Sequence, residues 1–332
     1  MKSNPLWQTA RVAALRDLTP TVREFLLQPL DGAAIAWPPG AHLQVRVPVA
    51  GREQTRSYSL VGQPADTPGA YRIAVKRLDQ GRGGSLAMWS LAEGDTLSVS
   101  APQNHFPLEI DAPTSLLVAG GIGITPMVSM AQALARRGRA VRLLYAARNA
   151  DELAYAQRLR DTLGDGLVLA VSGQGERLDL AGEIAALPAG APCYVCGPTG
   201  LRGAARALWA QAGRPASGLR FETFGSGGQR PTQAFAVAVP RHGASLTVSA
   251  GESLLDALEA AGIEVMSDCK RGECGLCAMD VLAVEGEIDH RDVFLSEHEK
   301  QGNQRICACV SRVVGRITLD SAWRPEAEAL PQ

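Results

Sequence analysis

Three textures follow one another along the chain. Over the first hundred residues, apolar and polar positions alternate in short runs: 42–47 (His-Leu-Gln-Val-Arg-Val), 71–75 (Tyr-Arg-Ile-Ala-Val) and 96–100 (Thr-Leu-Ser-Val-Ser). Pro38-Pro39-Gly40, Gly69 and Gly94-Asp95 separate them. In a strand alternate side chains face one side, so short runs at this spacing predict a small antiparallel barrel. From about Pro113 the texture changes to continuous apolar runs separated by helical spacing. Strands are expected at 115–119, 140–146, 168–171 and 193–196, with helices from Thr125, over about 151–162, and from about Thr199. That alternation predicts a parallel α/β sheet. Residues 225–231 are polar and glycine-rich, as a linker would be. Beyond them, strands at 234–239 and 246–249 flank Arg241-His242-Gly243 as a hairpin, and a short helix over about 253–261 ends at Gly262.

Residues 112–135 carry no charge and are long enough to span a bilayer. Gly120, Gly121, Gly123 and Pro126 interrupt them, which parses better as a buried strand, a glycine-rich turn and a helix. In that helix Thr125 is the expected N-cap, Pro126 the first residue, and Gly138 follows the end. Met127, Met130, Ala131 and Leu134 share one helical face. No membrane span is expected.

Composition narrows the function. A length of 332 residues suggests two or three domains, and 46% hydrophobic with 20% charged residues is ordinary for a globular protein. A net charge of −1 gives no basic footprint for nucleic acid. Seven cysteines are too sparse for a disulfide scaffold, and the start Met-Lys-Ser-Asn-Pro-Leu-Trp lacks an apolar signal core. A reducing cytoplasm is the expected location.

Cys269, Cys274 and Cys277, followed by Cys307 or Cys309, show the C-x4-C-x2-C…C spacing of a plant-type 2Fe–2S site. Soft thiolates suit iron and sulfide, and four complete two tetrahedral irons. Gly272 and Gly275 would let backbone N–H groups approach the sulfurs. A zinc site would show two short Cys-x(2–4)-Cys knuckles, which this chain lacks. Residues 305–311 read as a strand, so period two puts Cys307 and Cys309 on one face and does not choose between them. Lys270, Arg271 and Glu273 flank the loop as candidate docking charges.

Other constellations point to nucleotides. Arg56-Ser57-Tyr58-Ser59 combines a cation, a ring and hydroxyls suited to an anionic planar ligand, although a solvated strand edge could carry the same residues. Lys76-Arg77 with Gly81-Arg82-Gly83-Gly84-Ser85 could form a phosphate nest or a hairpin loop. Gly120-Gly121-Ile122-Gly123-Ile124-Thr125-Pro126 joins a strand to a helix N-terminus, where a pyrophosphate would be favoured. It is not G-x-G-x-x-G, because Pro126 stands where the third glycine would be. Cys193 and Cys196 make a C-x-x-C inside a strand and read as buried, site-lining thiols rather than a redox dithiol. His105, His242 and His298 have no metal or triad spacing and are expected at the surface.

Arg56 to Ser59, Gly120 to Pro126 and Cys196-Gly197-Pro198 together form the motif series of the ferredoxin–NAD(P) reductase superfamily. Their order before a C-terminal plant-type ferredoxin resembles the phthalate dioxygenase reductase family, including vanillate O-demethylase reductase, over about residues 5–322. Ile73-Ala74-Val75-Lys76-Arg77, the glycine run at 81–85 and Arg220-Phe221-Glu222-Thr223-Phe224 are also similar to that subgroup. The resemblance implies a multidomain fold: an antiparallel flavin β-barrel (1–110), a parallel-sheet α/β nucleotide domain (111–224), a linker (225–233), an α+β β-grasp ferredoxin domain (234–322) and a tail (323–332). It implies flavin binding by Arg56, Ser57, Tyr58, Ser59, Val75, Lys76, Gly83, Gly84, Ser85 and Phe224. It assigns the nicotinamide nucleotide to Gly120, Gly121, Gly123, Thr125, Pro126, Arg148, Cys196, Gly197 and Pro198. The Cys-Val-Ser-Arg continuation selects Cys309 as fourth ligand. FMN over FAD and NADH over NADPH follow the subgroup's habit, although Arg148 could pair a 2′-phosphate.

Electron counting then implies a path from NADH through FMN and 2Fe–2S to a terminal oxygenase, Rieske-type by the resemblance, with no side chain acting as acid or base. Another acceptor such as a cytochrome P450, or a non-enzymatic carrier or sensor, are the alternatives.

Overall fold

The computed structural model describes residues 6–49, 51–79, 81, 83–224 and 232–320; Arg82, the expected linker residues 225–231 and the tail 323–332 lie outside them. The described chain divides into two compact units, one ending at Glu222 and one beginning at Thr223.

In the first unit the alternating runs become a six-stranded antiparallel sheet in the order β4-β3-β6-β1-β2-β5. Its strands are β1 (Trp7–Thr19), β2 (Val22–Pro29), β3 (His42–Val49), β4 (Arg52–Ser59), β5 (Tyr71–Lys76) and β6 (Thr96–Ser100). A bridge between Leu60 and Ile73 joins the two edges and closes the barrel. Leu43, Val45 and Val47 of β3 pack inward with Phe25, Leu27, Ile73 and Val99. Helix α1 (Gly84–Trp89) adds the fully buried Met88 to that core.

The same unit holds a five-stranded parallel sheet, β11-β10-β7-β8-β9. It consists of β7 (Thr114–Gly120), β8 (Ala140–Ala147), β9 (Leu167–Val171), β10 (Cys193–Cys196) and β11 (Leu219–Glu222), with α2 (Ile124–Arg136), α3 (Ala156–Leu163), α4 (Leu180–Ala186) and α5 (Thr199–Gln211) between them. The chain runs outward from β7 to β9 and then crosses to β10, so strand order reverses between β7 and β10.

Two expectations change here. The N-cap of α2 is Gly123, not Thr125, because a 3-10 turn over Gly121–Gly123 precedes the helix. Thr125 Oγ1 instead donates to the Ile122 carbonyl at 3.0 Å. The helix expected over 151–162 is broken into a 3-10 turn (Ala150–Glu152) and α3, with Tyr155 at φ 63° between them. Tertiary bonds hold the break open: the Tyr155 hydroxyl donates to Glu24 at 2.9 Å, and Glu152 accepts from Thr21 at 2.7 Å.

The second unit is a β-grasp. Its mixed sheet has the order β13-β12-β16-β14-β15: β12 (Phe235–Val239), β13 (Ala244–Val248), β14 (Ala278–Asp289), β15 (Arg305–Cys307) and β16 (Arg312–Leu319). Helix α6 (Leu254–Ala260) is capped by Ser253 and buries Leu254, Leu255 and Leu258 in this unit's core. A short α7 (Glu297–Gly302) leads into β15. The strand expected over 305–311 stops at Cys307. The amides of Val310 and Ser311 turn back onto the Cys307 carbonyl, at 3.3 and 3.0 Å, so Cys307 and Cys309 do not share a strand face. Among the described residues no helix is long and apolar enough to cross a membrane.

Candidate functional site

The reversal between β7 and β10 places the glycine-rich turn beside Cys196-Gly197-Pro198, and crevices at such switch points are where open α/β sheets hold ligands. Crowding within the fold fixes three of the glycines. A Cβ on Gly120 would lie 2.6 Å from Pro198 Cδ, one on Gly123 2.2 Å from the Cys196 carbonyl oxygen, and one on Gly197 2.9 Å from the Gly120 nitrogen. Gly121 differs: its φ is +54° and nothing stands within 4 Å of its missing Cβ, so it exposes backbone to open space. Pro126 is buried in the first turn of α2, where it needs no hydrogen-bonding N–H. Arg148 is exposed just past β8.

Strand β4 brings the barrel to the same place. Ser59, its last residue, is buried and donates its hydroxyl to Glu222 Oε2 at 3.2 Å. Cys196 Sγ lies 4.0 Å from the same oxygen. Glu222 ends β11 with no exposed surface. It lies inside the family-like run Arg220 to Phe224, but that run assigned it no role; its further signal in the sequence is a carboxylate within a strand-like stretch, where burial demands partners. Cys193, three residues before Cys196, faces the opposite side of β10, and burial pushes its thiol up to about 12. No redox dithiol forms.

Arg56 lies on the same strand and covers Gly84: a Cβ there would come within 2.4 Å of Arg56 Nε. The guanidinium donates to the Thr55 carbonyl at 2.9 Å and to Gln54 Oε1. Gly83, at φ 80°, turns the chain into α1, and Ser85 Oγ accepts the Leu78 amide at 3.1 Å. Ser57 pairs with Gln44 of β3. Burial pushes the Tyr58 hydroxyl well above its ordinary value, so the ring stays neutral. The Val75 carbonyl accepts the Trp89 indole N–H at 3.0 Å. Lys76 donates to Thr21 Oγ1 at 3.1 Å and to the Glu152 carboxylate, which places its ammonium in the seam between barrel and parallel sheet. Arg158 and Arg136 extend that seam by pairing with Asp66 at 2.6 and 2.8 Å. A cavity of 580 Å³ opens on the seam beside Arg16, Arg72 and Arg158, and its arginines are already paired with Glu24 and Asp66. His105, expected at the surface, is half-buried, with its ring 5.4 Å from that of fully buried His42; His242 and His298 are exposed. Phe224 belongs to the second unit.

In that second unit the loop after α6 wraps four sulfurs. Lys270, Gly272 and Gly275 all have positive φ. Cys269 Sγ accepts the amides of Arg271, Glu273 and Cys274, each at 3.4 Å. Cys307 ends β15 opposite Ala278, and Cys309 lies buried in the turn that follows, where the Ala308 amide donates to the Cys277 carbonyl at 3.0 Å. Hydrogen bonds from the Cys274 and Cys309 thiols hold the Cys269 thiol far below its ordinary range, those from Cys307 and Cys309 lower Cys277, and the donating Cys274, Cys307 and Cys309 thiols are pushed up in turn. The docking charges are not where they were expected. Arg271 is 4% exposed and pairs with Glu273 at 3.0 Å, because both are gripped by Thr223; Lys270 leans towards Glu259 at 3.8 Å.

Residues 10–107 match the family model of an oxidoreductase FAD-binding domain, 117–165 that of an oxidoreductase NAD-binding domain, and 237–314 that of a 2Fe-2S iron-sulfur cluster binding domain. The chain is 41% identical to the heme-dependent oxidative N-demethylase beta subunit of Ectopseudomonas mendocina, over 93% of this chain and 97% of that one. It is 39% identical to the phenoxybenzoate dioxygenase subunit beta of Ectopseudomonas oleovorans, over 85% and 86%. The solved structure of phthalate dioxygenase reductase is similar with a TM-score of 0.79 at 32% identity, covering 95% of this chain and 98% of that one. The chain belongs to the phthalate dioxygenase reductase family.

This reductase is an NAD(P)H-dependent flavin iron–sulfur oxidoreductase, and its residues fit those groups. Cys269, Cys274 and Cys277 on one loop, with Cys307 and Cys309 buried after β15, offer the soft sulfur donors that such a cluster takes, and N–H groups are already aimed at the Cys269 sulfur. Among the described residues no three His, Cys, Asp or Glu side chains close on a single-ion point, and two irons need a wider arrangement than one. The cradle of Arg56 over Gly84 suits an anionic group, and the open backbone at Gly121 leaves room for a nucleotide.

Proposed function

We propose that this reductase supplies electrons to a Rieske-type terminal oxygenase, either an aromatic-ring dioxygenase or an O- or N-demethylating monooxygenase, in the cytoplasm. NADH, FMN and 2Fe–2S are the proposed donor and carriers. Bound flavin supplies the conversion between the two electrons of a hydride and the single electrons that a 2Fe–2S cluster accepts. The observation that carries the reading is the convergence of Ser59, from the barrel, and Cys196, from the parallel sheet, on the buried Glu222.

On this reading residues 1–110 hold the flavin, 111–224 the nucleotide and 234–322 the cluster, with 225–233 linking them and 323–332 as a tail. Arg56, Gly83, Gly84 and Ser85 bind the flavin phosphate. Ser57, Tyr58 and Ser59 line its ring, and Val75 and Lys76 border it through backbone. Gly120, Gly121, Gly123, Thr125 and Pro126 shape the nucleotide turn, Arg148 meets the adenosine end, and Cys196, Gly197 and Pro198 border the nicotinamide. Cys269, Cys274, Cys277 and Cys309 hold the cluster. None of these side chains moves a proton; they orient and exclude water, which is enough for hydride and electron transfer.

A second reading has one specific support: the relative that shares 41% identity is named as part of a heme-dependent N-demethylase. On that reading the acceptor is a heme protein, as a cytochrome P450 would be. Incubating the reductase and NADH with purified Rieske oxygenases, and separately with heme demethylases, tests both. Substrate turnover with the Rieske protein is the expected result, and turnover with heme proteins alone would overturn it.

A further inference from the structure

We propose that Thr223 is a positioning residue for the 2Fe–2S cluster: it sets the direction of the backbone N–H groups aimed at the Cys269 sulfur. The proposal rests on Cys269 being a cluster ligand and goes beyond it.

Three amides, those of Arg271, Glu273 and Cys274, point at Cys269 Sγ from 3.4 Å. The backbone that carries them is not in a relaxed shape. Lys270 has φ 49°, a left-handed conformation that strains a non-glycine residue, and Gly272 follows at φ 77°. Such a turn persists only when its surroundings over-determine it.

From one side the hold comes through Gly272. Its carbonyl accepts the Val293 amide at 2.9 Å, and a Cβ on it would meet Val310 at 2.6 Å and Asp292 at 2.9 Å. From the other side it comes through Thr223. The Thr223 hydroxyl donates to the Arg271 carbonyl at 2.6 Å, and the Thr223 amide donates to Glu273 Oε1 at 2.6 Å. The Arg271 carbonyl belongs to the peptide that lies between two of the donating amides. The Glu273 carboxylate in turn meets the Arg271 guanidinium at 3.0 Å. Thr223 is 2% exposed, so water cannot replace its hydroxyl cheaply.

N–H groups directed at sulfur favour the more negative, reduced cluster and so raise its potential. Losing the Thr223 hydroxyl frees the Arg271 peptide to rotate and weakens that array. Thr223→Val keeps the shape and removes the donor; Thr223→Ser keeps the donor.

The test is an EPR-monitored redox titration of the full-length holoprotein and both variants, with iron content measured alongside. The expected result is a lower midpoint potential and altered g values in Thr223→Val, with Thr223→Ser close to wild type. Loss of iron in Thr223→Val with retention in Thr223→Ser also supports the role. An unchanged potential and spectrum in Thr223→Val, or the same shift in both variants, overturns it. A native protein without a cluster signal would instead fail the underlying cluster reading, so the two failures are distinguishable.

Discussion

The Ser59 hydroxyl donates to the Glu222 carboxylate at 3.2 Å across 163 residues of sequence, and so joins the last residue of a barrel strand to the last residue of a parallel strand. Cys196 approaches the same oxygen at 4.0 Å. A carboxylate with no exposed surface needs such partners, since an isolated buried charge is very costly. The site proposed for hydride transfer is therefore built by two sheets at once, and its geometry depends on their seam.

Glu222→Gln keeps the size of the side chain and removes its charge, which loosens both contacts. Hydride transfer from NADH should slow by roughly a hundredfold, the usual effect of a misplaced reacting geometry. Stopped-flow bleaching of the flavin band measures it, and flavin content should stay near native. A wild-type rate would separate Glu222 from the reaction.

Gly84→Ala isolates the cradle. Alanine normally favours a helix over glycine by roughly 1 kcal/mol, so α1 should survive the change. The new methyl would stand 2.4 Å from Arg56 Nε and must displace the guanidinium. Flavin per chain should fall, as it should in Arg56→Ala. Full flavin in both variants would show that the phosphate is held elsewhere.

How much of this could be read from sequence follows from the kind of signal each feature leaves. The barrel was legible because residues such as Leu43, Val45 and Val47 repeat with period two, and the parallel sheet because Leu116 to Ala119 form a continuous apolar run. The cysteine spacing was legible because one loop must supply three ligands. The break at Tyr155 was not, because it is held by Glu24, 131 residues away. Nor was the burial of Arg271 and Glu273, which depends on Thr223, 48 and 50 residues earlier. Glu222 stood within the family-like run 220–224, but its role stayed hidden for the same reason: what marks it is the company of Ser59 and Cys196.

The two late cysteines should behave differently. Cys307 ends β15 and Cys309 sits in the turn after it, within the Cys-Val-Ser-Arg run that resembles the family's, so Cys309→Ser should lose most iron and sulfide, whereas Cys307→Ser should keep them. Iron analysis and the visible spectrum decide. The reverse pattern would make Cys307 the fourth ligand.

Acid should weaken the seam. Burial alone would raise the Glu152 carboxyl, but hydrogen bonds from Lys76 and Thr21 outweigh it and hold the carboxyl below its ordinary 4.5. Its folded value is depressed, so its contribution is complete above the unfolded value and is lost as pH falls through the folded one. Glu152→Gln should cost about 2 kcal/mol at neutral pH, and the gap to wild type should close as the pH drops below 4.5. Urea melts at several pH values measure it; a gap that does not depend on pH would contradict the assignment.

Anaerobic titration with NADH, followed by visible absorption and low-temperature EPR, shows whether electrons pass from nicotinamide through flavin to the cluster. The flavin bands should bleach and the signal of a reduced plant-type 2Fe–2S cluster should appear in the same protein. Bleached flavin with a cluster that stays oxidised, or a cluster without any flavin, would contradict that path.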